Sequence, residues 1–179
     1  MRLTTLTVLQ SVLKITTLCA ILSASIGKSK AEDAKATQLS PGFPIEKVIS
    51  LAISLPSHSW EFGTAAEALL ELYNPSLSVF GPSPFPVRAS LNVDDIKALS
   101  YAKSKIVLGQ GVNSLADGDG AVGDPASLGV SAWMLGKSNA GDAEKYATAA
   151  NETIQYLINE APRADNGAIS HRAEIVELW

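Results

Sequence analysis

Cysteine is nearly missing from this chain. The one example, Cys19, falls in an apolar N-terminal stretch, which excludes disulfide staples and cysteine metal sites from the rest of the 179 residues. Basic excess is missing too. Fourteen Lys and Arg stand against 18 Asp and Glu, the net charge is −4, and no run of five like charges occurs, so nothing suggests a nucleic-acid surface. Long apolar runs are also missing: Lys14 divides Met1–Leu13 from the stretch after it, and neither part reaches the ~18 residues of a spanning helix. No stretch reads as a confident strand. What is present is 46% hydrophobic residues with 18% charged ones, a balance that fits one globular domain and not a disordered chain.

Residues 1–31 read as a secretory signal peptide. Arg2 and Lys14 supply the positive flank, Ile15 to Ile26 the apolar core, and Ser29-Lys30-Ala31 the small residues at the positions a signal peptidase reads. Cleavage nearer Ala24 and retention as an uncleaved anchor are the other readings of the same stretch. The expectation is a secreted protein with no membrane attachment after cleavage, a linker over 32–42, and a folded domain over 43–179. Asn151-Glu152-Thr153 is an N-glycosylation sequon, usable at Asn151 in a eukaryotic secretory route.

Five helices are expected. Phe43 to Leu55 has Pro44 suited to the first helical position and Ile45, Val48, Ile49 and Ala52 at helical spacing. Ser57-His58-Ser59 caps a second helix with Glu61 in its first turn, and Trp60, Thr64, Ala68, Leu69, Leu72 and Tyr73 share a face. After a proline-rich loop, Asn92 caps a third helix with an apolar stripe from Ile96 to Val107, ended by Gly109 and Gly111. Asp124-Pro125 opens a fourth, running to about Leu135 with Gly136 beyond its end. Asp142 opens the fifth, where Tyr146, Ala149, Ala150, Thr153, Ile154, Leu157 and Ile158 keep the clearest period. Short connections favour antiparallel pairs. Gly63, Ala65 and Ala66, then Gly129, Ser131 and Ala132, are small enough for close helix approach. Ala168 to Ser170 suits a short extended piece.

Few residues suggest chemistry. Asp117, Asp119 and Asp124 lie in a Gly-rich loop, but glycine at the sixth position and glutamate at the twelfth of a calcium loop are missing, so turn chemistry and a helix cap explain them. The same glycines lack the strand and the Gly-Lys-Ser/Thr ending of a phosphate loop. Trp60 and Glu61 could stack on a sugar ring and bond its hydroxyls; read alone, they are a core tryptophan and a dipole-complementing glutamate. His171 and Arg172 follow the Asn166-Gly167 turn, where histidine could move a proton and arginine clamp a carboxylate. Read alone, they are a loop pair. No Ser/His/Asp set and no carboxylate pair stands out as acid and base.

Taken together, three stretches resemble the six-hairpin glycosidases of glycoside hydrolase families 88 and 105. Asn166-Gly167-Ala168-Ile169-Ser170-His171-Arg172, ending in Glu177-Leu178-Trp179, is similar to their Gly turn, His-Arg or His-Lys pair and Trp-x-Asp motif. Ser57-His58-Ser59-Trp60-Glu61-Phe62-Gly63 resembles their early inner helix, and Gly118 to Val130 a secreted fungal branch. The resemblance spans about Phe43 to Trp179. It implies an all-α fold, part of an (α/α)6 six-hairpin toroid with about five of its twelve helices in this sequence.

The resemblance also implies a reaction. Unsaturated rhamnogalacturonyl and glucuronyl hydrolases hydrate the double bond of a terminal unsaturated uronic acid. An aspartic acid protonates the vinyl ether, water adds to the adjacent carbon, and the hemiketal collapses to release the aglycone. The partner would be an oligosaccharide substrate, with no nucleic acid, metal or organic cofactor. Substrate-binding positions would be Trp60, Glu61, His171, Arg172 and Trp179. No catalytic residue is expected within the sequence, since the acid of Trp-x-Asp would fall about two positions past Trp179. The chain is therefore expected to be an N-terminal fragment, inactive alone. A non-catalytic carbohydrate-binding or structural relative, and more distantly a polysaccharide lyase, are the alternatives.

Overall fold

A computed structural model describes residues 42–82 and 92–176. The stretch read as a signal peptide, with Cys19, nearly all of the stretch read as a linker, and Trp179 lie outside the described residues. From Pro44 onward the described residues belong to one compact unit.

The architecture is all-α. The helices are α1 (Ile45–Ser54), α2 (Ser59–Tyr73), α3 (Lys97–Lys105), α4 (Gly129–Lys137) and α5 (Ala143–Asn159). Short 3₁₀ turns at Pro75–Leu77, Val93–Asp95, Gly111–Asn113 and Pro125–Leu128 link them. Among the described residues there is no β-strand, only two isolated antiparallel bridges. No described helix is long and apolar enough to cross a membrane.

The core lies between α2, α3, α4 and α5, where Leu70, Leu99, Leu115, Leu128 and Leu135 are fully buried. Each such leucine contributes about 1.5–3 kcal/mol relative to an exposed one. The α4–α5 pair is antiparallel. Gly136 at the end of α4 touches Ala147 near the start of α5, while Gly129 and Trp133 share a groove with Ile154 and Leu157 near its end. A Cβ at Gly136 would sit 2.8 Å from the Ala147 backbone, so this glycine sets the closeness of the pair.

The packing corrects several expectations. On α2 the buried residues are Ser59, Gly63, Ala65, Ala66, Leu69 and Leu70. Trp60, Thr64, Ala68, Leu72 and Tyr73 are exposed, so the helix is rotated away from the face that side-chain size selects. The reason is steric. Gly63 lies so close to Ser127 that a Cβ would fall 2.3 Å from its hydroxyl oxygen. Small residues bring the 3₁₀ turn at Pro125–Leu128 onto α2, and large ones would hold it off. The expected close approach through small side chains is thus present at Gly63.

The expected stripe of α1 is only partly covered: Ile45, Ile49 and Ala52 are half-buried, Val48 is exposed, and no residue of the helix is buried. Pro44 precedes the helix as its N-cap, and its carbonyl accepts from the amides of Lys47 and Val48. Asn92 caps a 3₁₀ turn, not α3. Its side-chain oxygen accepts from the Asp94 amide at 3.3 Å, and α3 begins only at Lys97. That helix stops at Lys105, four residues before Gly109, because the Val107 and Gly109 amides turn to the carbonyls of Leu115 and Ser114. Ile106 remains buried, whereas Val107 is exposed. The fourth helix is split into the Pro125–Leu128 turn and α4, and it runs through Gly136 to Lys137. On α5, Tyr146, Ala149, Ala150 and Thr153 are buried, while Ile154 and Ile158 are exposed.

Candidate functional site

The chain beyond α5 is held by one arginine. Arg163 donates from Nη2 to the Leu157 carbonyl at 2.8 Å and from Nη1 to the Gly167 carbonyl at 2.9 Å. The Asn166 side chain accepts from the Ala168 amide at 3.0 Å, and the Arg163–Ile169 bridge makes the short extended piece expected near Ala168. The reversal delivers residues 171–173 alongside 120–122. The Val122 amide donates to the His171 carbonyl at 2.8 Å and the Ala173 amide to the Gly120 carbonyl at 2.9 Å.

The Gly-rich loop is shaped to receive that segment. Asp119 and Gly120 adopt φ of 51° and 79°, the left-handed region in which glycine is unstrained and aspartate tolerated. The Asp117 carboxylate accepts from the Asp119 amide at 2.9 Å, the turn chemistry expected there. Arg172 then donates from Nη1 to the Asp119 carbonyl at 2.9 Å. Behind it, the buried Ser170 hydroxyl donates to the Ile175 carbonyl at 2.8 Å.

The junction opens into a cleft of about 530 Å³, lined by Asp117, Asp119, Gly120, Arg172, Glu174 and Ile175. Three carboxylates and one guanidinium face it. Such a lining can accept hydrogen bonds from hydroxyl groups and offer one planar donor to a carboxylate or ring oxygen. The acidic excess disfavours an anion anywhere but beside Arg172.

Trp60, Glu61 and His171 do not line this cleft. His171 is half-buried beside it, its carbonyl paired with Val122. Trp60 stands half-exposed at the start of α2. The Glu61 carboxylate accepts from the amides of Ser57 at 2.6 Å and His58 at 3.0 Å, with the His58 ring 3.4 Å away. The Ser57 and His58 amides hold this carboxyl below its ordinary value of 4.5. Glu61 is thus an ionised helix cap, a state that suits accepting hydrogen bonds and not donating a proton. The two regions are connected through Ser127, whose hydroxyl reaches the Ser59 carbonyl at 3.0 Å and the Asp124 carbonyl at 2.7 Å.

Two features are not evident from the sequence motifs. Glu174 lines the cleft but falls in the spacer between Arg172 and Glu177, not among the residues that carry the resemblance. Glu67 and Glu71 form a carboxylate pair on α2; their spacing of four residues is the available signal, masked by the expectation of a different buried face. At the sequon, Asn151 is exposed on α5, while the Thr153 side chain is buried and its hydroxyl donates to the Ala149 carbonyl at 2.9 Å. No family model matches the chain, and no curated protein or solved structure matches it either.

Proposed function

We propose that this protein is a secreted carbohydrate-active hydrolase of the unsaturated-uronyl type, with α1–α5 as part of an (α/α)6 toroid. The observation that supports this reading is the junction itself. Two stretches that carry the resemblance, Gly118 to Val130 and Asn166 to Arg172, pair through Val122 with His171 and Asp119 with Arg172, and the Gly120–Ala173 bond continues the pairing one residue past the second stretch. Their meeting makes a hydroxyl-compatible cleft.

In this reading Arg172 takes the uronate carboxylate, because it is the one cation among the described residues that line the cleft. Asp117, Asp119 and Glu174 accept from sugar hydroxyls, and Trp60 offers an exposed ring for stacking. Protonation of the vinyl ether, addition of water and collapse of the hemiketal require a carboxylic acid. No residue of this sequence is assigned that step.

The second reading is a non-catalytic carbohydrate-binding protein of the same fold. It is favoured by the position of Glu67, the carboxyl that burial pushes upward: it does not line the cleft, so it cannot serve as the acid there.

Titrating the protein with an unsaturated uronyl disaccharide and its saturated counterpart, monitored by amide NMR, tests both. Shifts at Gly120, Arg172 and Glu174 that favour the unsaturated sugar, and are lost in Arg172→Ala, support the hydrolase reading. Equal responses to the two sugars favour the binding protein. No response to either sinks both.

A further inference from the structure

Glu67 and Glu71 lie one turn apart on α2, on the side from which the chain leaves into the Pro75–Leu77 turn. Glu67 Oε1 is buried without a hydrogen-bond partner. Glu71 Oε1 accepts from the hydroxyl of Ser78, a residue that is itself fully buried. Ser78 organises the corner after α2: its carbonyl accepts from the Gly81 amide at 3.0 Å, its hydroxyl oxygen from the Phe80 amide at 3.0 Å, and its own amide donates to the Pro75 carbonyl at 3.3 Å. A buried carboxylate oxygen with no donor is costly as an anion and much less so as an acid. A second carboxylate one turn away raises that cost, and a proton shared between them removes it.

The surroundings supply no compensating cation among the described residues. The adjoining 3₁₀ turns at Pro75–Leu77 and Pro125–Leu128 carry no titratable side chain. From α3, Lys97 lies over the Tyr73 ring at 4.3 Å and Lys105 over Phe62 at 4.8 Å, Lys103 is exposed and acts on Asp142, and Tyr101 adds no charge at neutral pH. Helix α1 brings Glu46 and Lys47, and α4 brings Lys137. None of these acts on Glu67. Burial pushes its carboxyl above the ordinary 4.5, the Glu71 charge and hydrogen bond push it further, and the Ser78 hydroxyl draws it back only in part.

We propose that Glu67 and Glu71 form a proton-sharing pair that fastens the turn after α2 in acid and loosens it as pH rises. The sign comes from proton uptake. A carboxyl raised on folding binds its proton more tightly in the folded chain, so its stabilisation is complete below the unfolded value and disappears as pH climbs through the folded one. Stability of this corner therefore falls on going from mildly acidic to neutral solution. Glu67→Gln, a permanently neutral isostere, removes the dependence.

The test is amide hydrogen exchange at Leu77, Ser78 and Gly81 in the full chain, corrected for intrinsic rates, between about pH 4 and about pH 8. Wild type should lose protection severalfold across that range, and Glu67→Gln should hold it nearly constant. The exposed control Glu46→Gln should behave as wild type. The same loss in Glu67→Gln as in wild type overturns the proposal. Should that variant not fold, the Glu67 carboxyl carbon of the wild-type chain is titrated by NMR. A midpoint above the ordinary value supports the pair, and one at or below it overturns it.

Discussion

Arg172 Nη1 donates a 2.9 Å hydrogen bond to the carbonyl of Asp119, 53 positions earlier in the chain. The bond crosses from the segment after α5 to a loop lying between α3 and α4. It grips the backbone where φ is positive at two successive residues, Asp119 and Gly120. One guanidinium thereby holds the cleft's shape and remains among its lining groups.

Removing that guanidinium should loosen the loop first. Arg172→Ala is expected to cost about 1 kcal/mol globally, since a solvent-accessible charged hydrogen bond is worth less than a buried one. Exchange protection at Val122 and Ala173, whose amides bridge the two segments, should fall by more than that global change. Unchanged protection at both amides would show that the backbone pairing does not depend on the arginine.

Gly63 and Gly129 should respond oppositely to alanine. At Gly63 the new Cβ meets Ser127 side-chain and backbone atoms between 2.3 and 2.5 Å away, so the 3₁₀ turn must move off α2. A loss of about 1–3 kcal/mol is expected, as for other overpacked sites. At Gly129 nothing lies within 4 Å and the backbone is already helical, so alanine should stabilise by about 0.4–1 kcal/mol. Chemical denaturation of both variants measures the difference.

Leu70 and Leu72 test the rotation of α2. Leu70 is buried, whereas Leu72 is 45% exposed. Leu70→Ala should cost about 2–5 kcal/mol and Leu72→Ala well under half of that. Equal losses in denaturant midpoint would place the wrong face inward.

Glu61 gives the opposite pH behaviour to Glu67. Its carboxyl is held below 4.5 by the Ser57 and His58 amides. That contribution is present above the unfolded value and disappears as pH falls through the folded one. Glu61→Gln should therefore lower the thermal midpoint at neutral pH, and the gap from wild type should close in acid. A gap that persists below about pH 3 would mean that packing of the side chain, not its charge, stabilises the start of α2.

Much of the helical layout is legible in the sequence because helix ends are written in local chemistry. Pro56, Asn74-Pro75 and Pro162 end or separate helices, and Glu61 and Asp142 sit in or beside first turns. Where the helices depart from those local signals, a distant partner decides. Val107 and Gly109 leave α3 because Leu115 and Ser114, farther along the chain, offer carbonyls. Gly136 continues a helix that punctuation alone would stop, because Ala147 packs against it.

The candidate site divides in the same way. The residue types at Asp117, Asp119 and Arg172 are visible in the sequence, and so is the turn at Asn166-Gly167. That Arg172 and Glu174 share a cleft with the Gly-rich loop, while Trp60, Glu61 and His171 do not line it, is a fact of the folded chain. Hydrogen-bonding residues at a turn act within three or four positions, so sequence order alone reveals them. The buried face of α2, the Glu67–Glu71 pair and the clasp of Arg172 on Asp119 each depend on which surfaces reach one another. Close packing settles that through volumes and distances no single segment contains.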